Sequence, residues 1–203
     1  SDMDQPLGYA VGNALEVKEA IATLNGNGPE DLRELVLVLT SLMVVKAGKA
    51  KDIREARILL EETLDSGKAL QVMKEWIVAQ GGTAEEVEHP DLLPQALCQE
   101  AVCAEKSGFV TKIHTEEIGR ICMLLGGGRA KKGDPIDLSV GLVLRKKVGD
   151  PVHSGESLAI LHANDREKLA EAKERLLKAY EIKKEPVAVR PLIWEILDGT
   201  EAE

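Results

Sequence analysis

Aromatic residues are scarce in this chain, in which two Trp, two Tyr and one Phe make up 2% of 203 residues. The core must therefore be built from the Leu, Val, Ile and Ala side chains that dominate the 44% of hydrophobic residues. Long apolar segments are missing too, since none reaches the roughly 18 residues of a membrane span. The first residues also lack the pattern of a signal peptide. We therefore expect no membrane contact.

Cysteine and positive charge are both in short supply. The three cysteines, Cys98, Cys103 and Cys122, lack the CxxC spacing of metal sites, and free thiols are typical of the cytoplasm. The 26 Lys and Arg residues are outnumbered by 35 Asp and Glu, which gives a formal net charge of −9. Nucleic-acid affinity depends mainly on clustered basic side chains, so we expect a cytoplasmic protein without a nucleic-acid partner. A local basic pocket could still bind a small anion.

An initiator methionine is absent as well. The chain opens on Ser1-Asp2-Met3 and enters at once a polar, glycine-punctuated loop, residues 5–12. A domain does not usually begin with its most functional loop. We therefore interpret the chain as a fragment of a longer polypeptide.

Four helices are predicted in the first part of the chain. The first begins near Asn13, which we take as its N-cap, with Glu16 close to a capping-box position, and it stops at residues 25–28. The second, about residues 29–47, is apolar on nearly every face, so we expect it to be buried on most sides. Two more helices follow, over residues 50–65 and 68–80.

Strand patterns appear after a proline-containing connector. EAVCAEK and GFVTKIH, separated by Ser-Gly, predict a hairpin, and TEEIGRICMLLGGG predicts a helix that ends in glycines. DLSVGLVLRKKVGD and ESLAILHA alternate as strands do. A strong helix with Asp165 near its cap follows over residues 165–182, then a last strand or turn, PVAVRPLIWEIL, and a frayed tail, TEAE. The predicted fold class is α+β, with a helical part over residues 1–82, a connector over 83–98 and a second domain over 99–203.

Several segments together resemble one enzyme family. DMDQPLGYAVGNALEVKEAI, GPEDLRELVLVL, LLPQA, SGFVTKI, LLGGGRAKKGDPIDLSVGLVLRKKVGD and GESLAILHA follow one another as in bacterial pyrimidine-nucleoside phosphorylases, relatives of thymidine phosphorylase. The resemblance covers the C-terminal half of such an enzyme. It implies that residues 1–82 are the helical layer of the phosphate-binding catalytic domain. Residues 99–203 would then be a C-terminal α/β-hammerhead-like domain that closes over the cleft.

The resemblance also implies an activity and its partners. Such enzymes catalyse the reversible phosphorolysis of uridine, thymidine or deoxyuridine, with phosphate as co-substrate, and the intact enzyme is expected to be a homodimer. Their phosphate-binding glycine-rich loop and their SGRxLGxTGGTxDK base-recognition segment do not occur in this sequence. We therefore assign no catalytic or substrate-binding residue here. We expect the chain alone to be inactive and its partner to be the N-terminal half of the same enzyme.

The site that the resemblance does assign is for potassium. Its ligands would be the backbone carbonyls of Leu7 and Ala10 and the side chain of Glu19, with the other ligands in the absent half. Potassium is a large, weak-field ion that suits carbonyl ligation, and glycines let a backbone turn its carbonyls inward. The competing interpretation of Glu19 is a solvated helix carboxylate. Glu16 is better explained as a capping residue than as a ligand.

Other patterns leave alternatives. The segment 124–134, LLGGGRAKKGD, could cradle a phosphate, but a P-loop opens a helix after a strand, so a helix C-cap and loop is the preferred interpretation. The four histidines show no metal-binding spacing. KKVGDPVHSGESLAILHA resembles biotinyl and lipoyl carrier domains without their modified lysine, and this favours a related β unit. A non-catalytic scaffold or binding module is therefore the alternative function.

Overall fold

The computed structural model describes residues 1–197, which form an N-terminal layer of helices followed by two antiparallel sheets. The four predicted helices are confirmed to within a few residues. They are α1 (Asn13–Leu24), α2 (Glu30–Lys46), α3 (Ile53–Asp65) and α4 (Lys68–Ala79). Helix α2 packs on α3, and α4 contacts both α3 and α1. Among the described residues, no helix has the length and apolar character needed to cross a membrane.

Helix α2 is less buried than its composition predicts. Only Leu37 and Ser41 are buried, whereas Leu39 is 52% and Met43 is 69% exposed. The expectation of burial on most sides is therefore wrong for this chain. The reason is that α3 is its main helical neighbour here, so its other apolar faces meet solvent.

The start of α1 differs in detail from the prediction. Gly12, not Asn13, is the N-cap residue, and the Asn13 side chain instead donates a hydrogen bond of 2.9 Å to the carbonyl of Gly127. The capping role of Glu16 is confirmed, because its Oε1 accepts the Gly12 N–H at 3.0 Å. The Asn13 contact ties the first turn of α1 to a distant loop.

Seven strands form the two sheets, and a short helix, α5 (Glu85–Glu88), and a 3-10 turn at Pro90–Leu92 precede most of them. A four-stranded sheet has the order β1-β4-β6-β2, and a three-stranded sheet has the order β5-β3-β7. Every pair is antiparallel. The strands are β1 (Ala10–Val11), β2 (Cys98–Cys103), β3 (Gly108–Ile113), β4 (Gly141–Leu144), β5 (Pro151–Val152), β6 (Ser157–Ala163) and β7 (Tyr180–Lys183).

The predicted hairpin between β2 and β3 is wrong. β2 pairs with β6 from Cys98 opposite Ala163 onwards, while β3 pairs with β5 and β7 in the other sheet. The Ser-Gly turn therefore carries the chain from one sheet to the other instead of reversing it within one.

The two helices of the second domain are α6 (Thr115–Leu125) and α7 (Arg166–Ala179). Asp165 caps α7 as predicted, and its Oδ1 accepts the N–H groups of Glu167 at 2.8 Å and Lys168 at 3.1 Å. The helix ends earlier than predicted, because the chain passes straight from Ala179 into β7. Residues 186–197 contain no strand, and the tail TEAE lies outside the described residues.

The main hydrophobic core lies in the second domain. It is formed by side chains of both sheets and of α6 and α7, all between residues 102 and 182, such as Leu142, Leu161, Ile118 and Leu176. With this core, the predicted α+β class is confirmed.

Strand β1 joins the N-terminal loop to the second domain. Ala10 lies opposite Val143, Val11 lies opposite Leu142, and β1 is therefore an edge strand beside β4. The approach is close, since a Cβ on Gly141 would be 2.3 Å from the Val11 carbonyl oxygen. Gly12 is similarly close, since a Cβ on it would be 2.6 Å from the Val140 carbonyl oxygen, so two glycines let the loop pack directly on the sheet.

Candidate cation site in the N-terminal loop

The loop of residues 5–12 is held between the four-stranded sheet and helix α1. Gln5 accepts the Val148 N–H through its Oε1 at 3.0 Å, and the Tyr9 carbonyl accepts the Leu144 N–H at 2.8 Å. Both bonds come from the second domain. The loop is therefore ordered by residues more than a hundred positions later in the chain.

Glu19 lies beneath this loop. One turn and a half into α1, its Oε1 accepts the backbone N–H groups of Tyr9 at 2.9 Å and Ala10 at 3.0 Å. The side chain is half-buried. The interpretation of Glu19 as a solvated helix carboxylate is therefore wrong.

Gly8 makes room for the second carboxylate oxygen. A Cβ on Gly8 would be 2.2 Å from Glu19 Oε2, and the φ of Gly8 is +64°, in the left-handed region that favours glycine. No described residue donates a hydrogen bond to this Oε2. One carboxylate oxygen is thus occupied and the other is available.

The electrostatics of the loop favour a cation. Burial raises the pKa of the Glu19 carboxyl, and the two backbone N–H groups and the nearby Lys147 only partly offset this effect. Asp31 adds negative charge in the same region and raises this pKa further. A positive charge beside Oε2 would stabilise the ionised form of Glu19.

The direction of the Ala10 carbonyl follows from the pairing of β1. Tyr9 lies just before β1, and its carbonyl accepts the Leu144 N–H while its own N–H donates to Glu19. Ala10 is the first residue of β1, lies opposite Val143, and donates its N–H to Glu19 instead of to β4. Because the N–H and the C=O of one residue in an antiparallel strand point to the same side, the Ala10 carbonyl lies on the Glu19 side of the strand.

The direction of the Leu7 carbonyl follows from its peptide plane. The Gly8 N–H donates to Asp31 Oδ2 at 3.1 Å, and no peptide bond among the described residues is cis. In a trans peptide the C=O and the N–H point in opposite directions. The Leu7 carbonyl is therefore turned away from Asp31.

The donor atoms that Leu7, Ala10 and Glu19 would offer are all oxygens. Within residues 1–197, no group of three or more His, Cys, Asp or Glu side chains could hold a metal ion. Two backbone carbonyls and one carboxylate oxygen are the oxygen donors that a hard cation takes. The three residues predicted as ligands are brought to one loop and one facing helix.

A lysine and an aspartate of this region were not predicted. The Lys147 ammonium donates to Asp31 Oδ2 at 3.0 Å and to the Pro6 carbonyl, and it lies 5.4 Å from the centre of the Tyr9 ring. Asp31 and Lys147 are 116 positions apart. No short-range pattern could have paired them, since each reads as an ordinary charged residue.

The other candidate patterns do not form a ligand site. Gly126, with a φ of 111°, is the left-handed C-cap of α6, which confirms the preferred interpretation of LLGGGRAKKGD. Within the same loop, the Arg129 side chain donates to the Asp134 carbonyl and the Lys131 backbone N–H donates to Asp134 Oδ2. His114 lies 3.2 Å from Glu181.

A cavity of about 980 Å³ between the chain's first residues and α6 has charged walls, most of them already paired. Its ion pairs are Arg120 with Glu116, Arg175 with Glu117, and Arg190 with Asp4. Its lining contains five Lys or Arg and four Asp or Glu side chains, so its excess of positive charge is small.

Comparison with known proteins agrees with the resemblance. Residues 1–70 match the model of the glycosyl transferase family a/b domain, and residues 109–183 match that of the pyrimidine nucleoside phosphorylase C-terminal domain. The chain is 51% identical to the pyrimidine-nucleoside phosphorylase of Geobacillus stearothermophilus over 195 residues, 96% of this chain and 45% of the relative. It is 58% identical to the protein of that name from Bacillus subtilis over 164 residues, 81% of this chain and 38% of the relative.

The chain thus spans less than half the length of these relatives. The two matched models are arranged in the order of the helical layer and the second domain, and each covers the part of the fold that its description names. Together, the two models and these relatives support the chain as a fragment of the pyrimidine-nucleoside phosphorylase family.

Proposed function

We propose that this chain is part of an enzyme that catalyses the reversible phosphorolysis of pyrimidine nucleosides. A phosphate oxygen attacks C1′ of uridine, thymidine or deoxyuridine, and the bond from C1′ to the base breaks. The base leaves with the electron pair and is protonated, and the sugar becomes (deoxy)ribose 1-phosphate. The observation that carries this proposal is the identity of 51–58% to relatives named pyrimidine-nucleoside phosphorylase.

The chain's own contribution is structural rather than chemical. The phosphate-binding loop and the base-recognition segment that the family resemblance implies are absent from its sequence. Its described residues supply the helical layer, the second domain and the loop between them. We therefore propose that the 203-residue chain alone is inactive.

We propose potassium as the ion of the candidate cation site. The carbonyls of Leu7 and Ala10 and the carboxylate of Glu19 would be this chain's ligands, and further ligands would come from the rest of the enzyme. The support is the available Oε2 of Glu19 and the orientation of the two carbonyls. A bound potassium ion would fix the loop and offset the cost of burying the Glu19 charge.

The proposed partner is the N-terminal half of the same enzyme. The outer faces of α2, α3 and α4 expose large apolar side chains, which soluble proteins seldom leave uncovered in such number. The matched family model describes an a/b domain, of which this chain contains mainly helices, so the cover expected for these faces is the remainder of that domain. The exposed side chains are Val36, Leu39, Met43, Ile58, Val72 and Trp76.

The location and assembly of the enzyme complete the proposal. Three free cysteines are consistent with a cytoplasmic location. The intact enzyme is proposed to be a homodimer, with phosphate and a pyrimidine nucleoside as substrates.

Complementation tests the function. The chain is mixed with a separately folded N-terminal half, and the release of uracil from uridine is followed with inorganic phosphate present. We expect activity in the mixture and none from either half alone. Failure of a demonstrably folded N-terminal half to restore phosphorolysis would contradict the proposal, whereas thymidine and deoxyuridine in parallel assays define the sugar preference.

A second arm of this experiment tests the ion. The Glu19→Gln variant is expected to lower the activity of the mixture and to remove its response to potassium, because the amide keeps a hydrogen-bond acceptor but loses the charge. Glu16→Gln is the matched control, since Glu16 only caps Gly12 on the same helix. An unchanged potassium response in Glu19→Gln would contradict the assignment.

A further inference from the structure

We propose that Lys147 is a positioning residue for the cation site, which acts by fixing the direction of the Leu7 carbonyl through Asp31. This inference rests on the cation site proposed above and adds a residue to it. Lys147 contacts neither Glu19 nor the Leu7 carbonyl by any hydrogen bond within residues 1–197. Its hydrogen bonds therefore reach the proposed ligands only indirectly, in addition to the effect of its charge on Glu19.

Lys147 makes hydrogen-bonded contacts with the loop on both sides of Leu7. On one side its ammonium donates to the carbonyl of Pro6. On the other side it binds Asp31 Oδ2 at 3.0 Å, the same oxygen that accepts the Gly8 N–H at 3.1 Å. The Lys147 ammonium thus binds Pro6, the residue before Leu7, directly, and it is linked to Gly8, the residue after Leu7, through the Asp31 carboxylate.

These contacts fix the orientation of the Leu7 carbonyl, one of the proposed ligands. The N–H of Gly8 and the C=O of Leu7 belong to one planar trans peptide, so an N–H held on Asp31 keeps the carbonyl pointed the other way. Without its ammonium partner, the Asp31 carboxylate would keep the Leu32 N–H on Oδ1 at 2.8 Å, but its Oδ2 would be held only by the Gly8 N–H. The Leu7 carbonyl would then lose its fixed direction.

The pair is well placed for such a role. The Lys147 side chain is 11% exposed and that of Asp31 is 29% exposed, so water screens the pair less than it screens a surface ion pair. The turn that carries Lys147 is itself rigid, because its backbone N–H donates to Asp150 Oδ2 at 2.7 Å. Asp31 lies in the first turn of α2, so the pair also connects the helical layer to the second domain.

The test compares Lys147→Met with Lys146→Met in the chain mixed with a folded N-terminal half, which supplies the proposed remaining ligands of the ion. Lys146 is the matched control, because its side chain is 15% exposed and pairs with Glu156 at 2.6 Å without touching the loop. Amide exchange of Gly8, Tyr9 and Ala10 is measured in choline chloride and in potassium chloride at equal ionic strength, together with the Tm of each variant. The double variant Lys147→Met/Asp31→Asn avoids a stranded carboxylate, should the single variant fail to fold.

Two results are expected. In choline chloride, Lys147→Met should speed exchange at Gly8 by about tenfold or more, because the loop opens locally. In potassium chloride, Lys147→Met should also raise, by about tenfold, the potassium concentration at which protection of the loop amides is half-maximal. Lys146→Met should change neither the Gly8 exchange rate nor this potassium midpoint by more than about twofold.

The outcomes separate the two proposals. If wild type shows no protection by potassium, the cation site fails, and the Gly8 exchange in choline chloride still decides whether Lys147 holds the loop. If wild type responds and Lys147→Met responds equally, the positioning role is overturned. It is also overturned if Lys146→Met, at a similar loss in Tm, shifts the potassium midpoint as much, since the effect would then be general destabilisation.

Discussion

At position 8, a hydrogen atom in place of a side chain decides where the Glu19 carboxylate can lie. The Cβ of any other residue would fall 2.2 Å from Glu19 Oε2. The same position adopts a φ of +64°. Conformational freedom and open space are therefore both required of this one residue.

Gly8→Ala is expected to displace Glu19 and to abolish protection of the Tyr9 and Ala10 amides by potassium. The left-handed backbone should also cost about 1–2 kcal/mol of the free energy of unfolding. Gly26→Ala is the control, because Gly26 has a φ of +80° but no neighbouring atom within 4 Å of its Cβ position. Hydrogen exchange and denaturant unfolding are the measurements. Equal protection in both variants would show that Gly8 does not make room for a ligand.

The cysteines are expected to differ in reactivity. Burial raises the pKa of the Cys122 thiol to about 11, whereas Cys103 is exposed. The thiolate is the reactive form, so iodoacetamide at pH 8 should label Cys103 readily and Cys122 only on unfolding. Peptide mass spectrometry with time checks this order. Rapid labelling of Cys122 in the folded chain would contradict it.

Some site residues could be found from the sequence and some could not. Leu7, Ala10 and Glu19 lie within a single motif of 13 residues, so one local resemblance predicts all three as ligands. Lys147 and Asp31 meet only because β4 and α2 converge on the loop. Their role depends on tertiary structure, which no local pattern contains.

At the scale of elements, helices α2 and α3 are joined by a two-bond contact. Arg57 donates to both carboxylate oxygens of Glu34, at 2.8 and 2.6 Å. This hydrogen-bonded guanidinium lowers the pKa of the Glu34 carboxyl. Both side chains are more than a third exposed, so solvent screens the pair.

Glu34→Gln is therefore expected to lower the free energy of unfolding by less than about 1 kcal/mol at neutral pH. Because the pKa is lower in the folded state, the contribution of Glu34 is present above the pKa of the unfolded carboxyl, about 4.3, and is lost as the pH falls through the folded value. The difference between wild type and variant should thus shrink between about pH 5 and pH 3. Urea unfolding at several pH values measures it. A difference between wild type and variant that grows in acid would contradict the assignment.

The elements that sequence patterns identified are those whose signals are local. Helices α1 to α4 are bounded by glycines, so their limits could be predicted closely. The partner of β2 could not, because it is β6, some sixty residues later, and a nearby Ser-Gly turn suggested β3 instead. β7 was missed because no glycine or proline separates it from α7.

For the whole molecule, burial is unevenly divided. The main core lies between residues 102 and 182, while the helices α2, α3 and α4 bury only Leu37, Ser41 and Ala56. Burying apolar surface stabilises a fold by roughly 25 cal/mol per Å², and the exposed apolar faces of these helices lack this stabilising free energy until a partner covers them. The helical layer should therefore be the less stable part of the chain.

Amides of α2, α3 and α4 are expected to exchange faster than those of α6, α7 and β6, and the chain is expected to self-associate through the helical layer. Hydrogen exchange by mass spectrometry, with sedimentation to establish the association state, is the measurement. Adding the N-terminal half should slow exchange in the helices selectively. Equal protection of both parts in a proven monomer would contradict the expectation.

The pairing of Ala10 with Val143 has a consequence for synthesis on the ribosome. The strand that pairs with the N-terminal loop and the lysine that binds it are translated more than 130 residues after the loop itself. At about 5–20 residues per second, the loop must wait for many seconds as an unpaired segment. The proposed cation site thus cannot be assembled until β4 and Lys147 have been made.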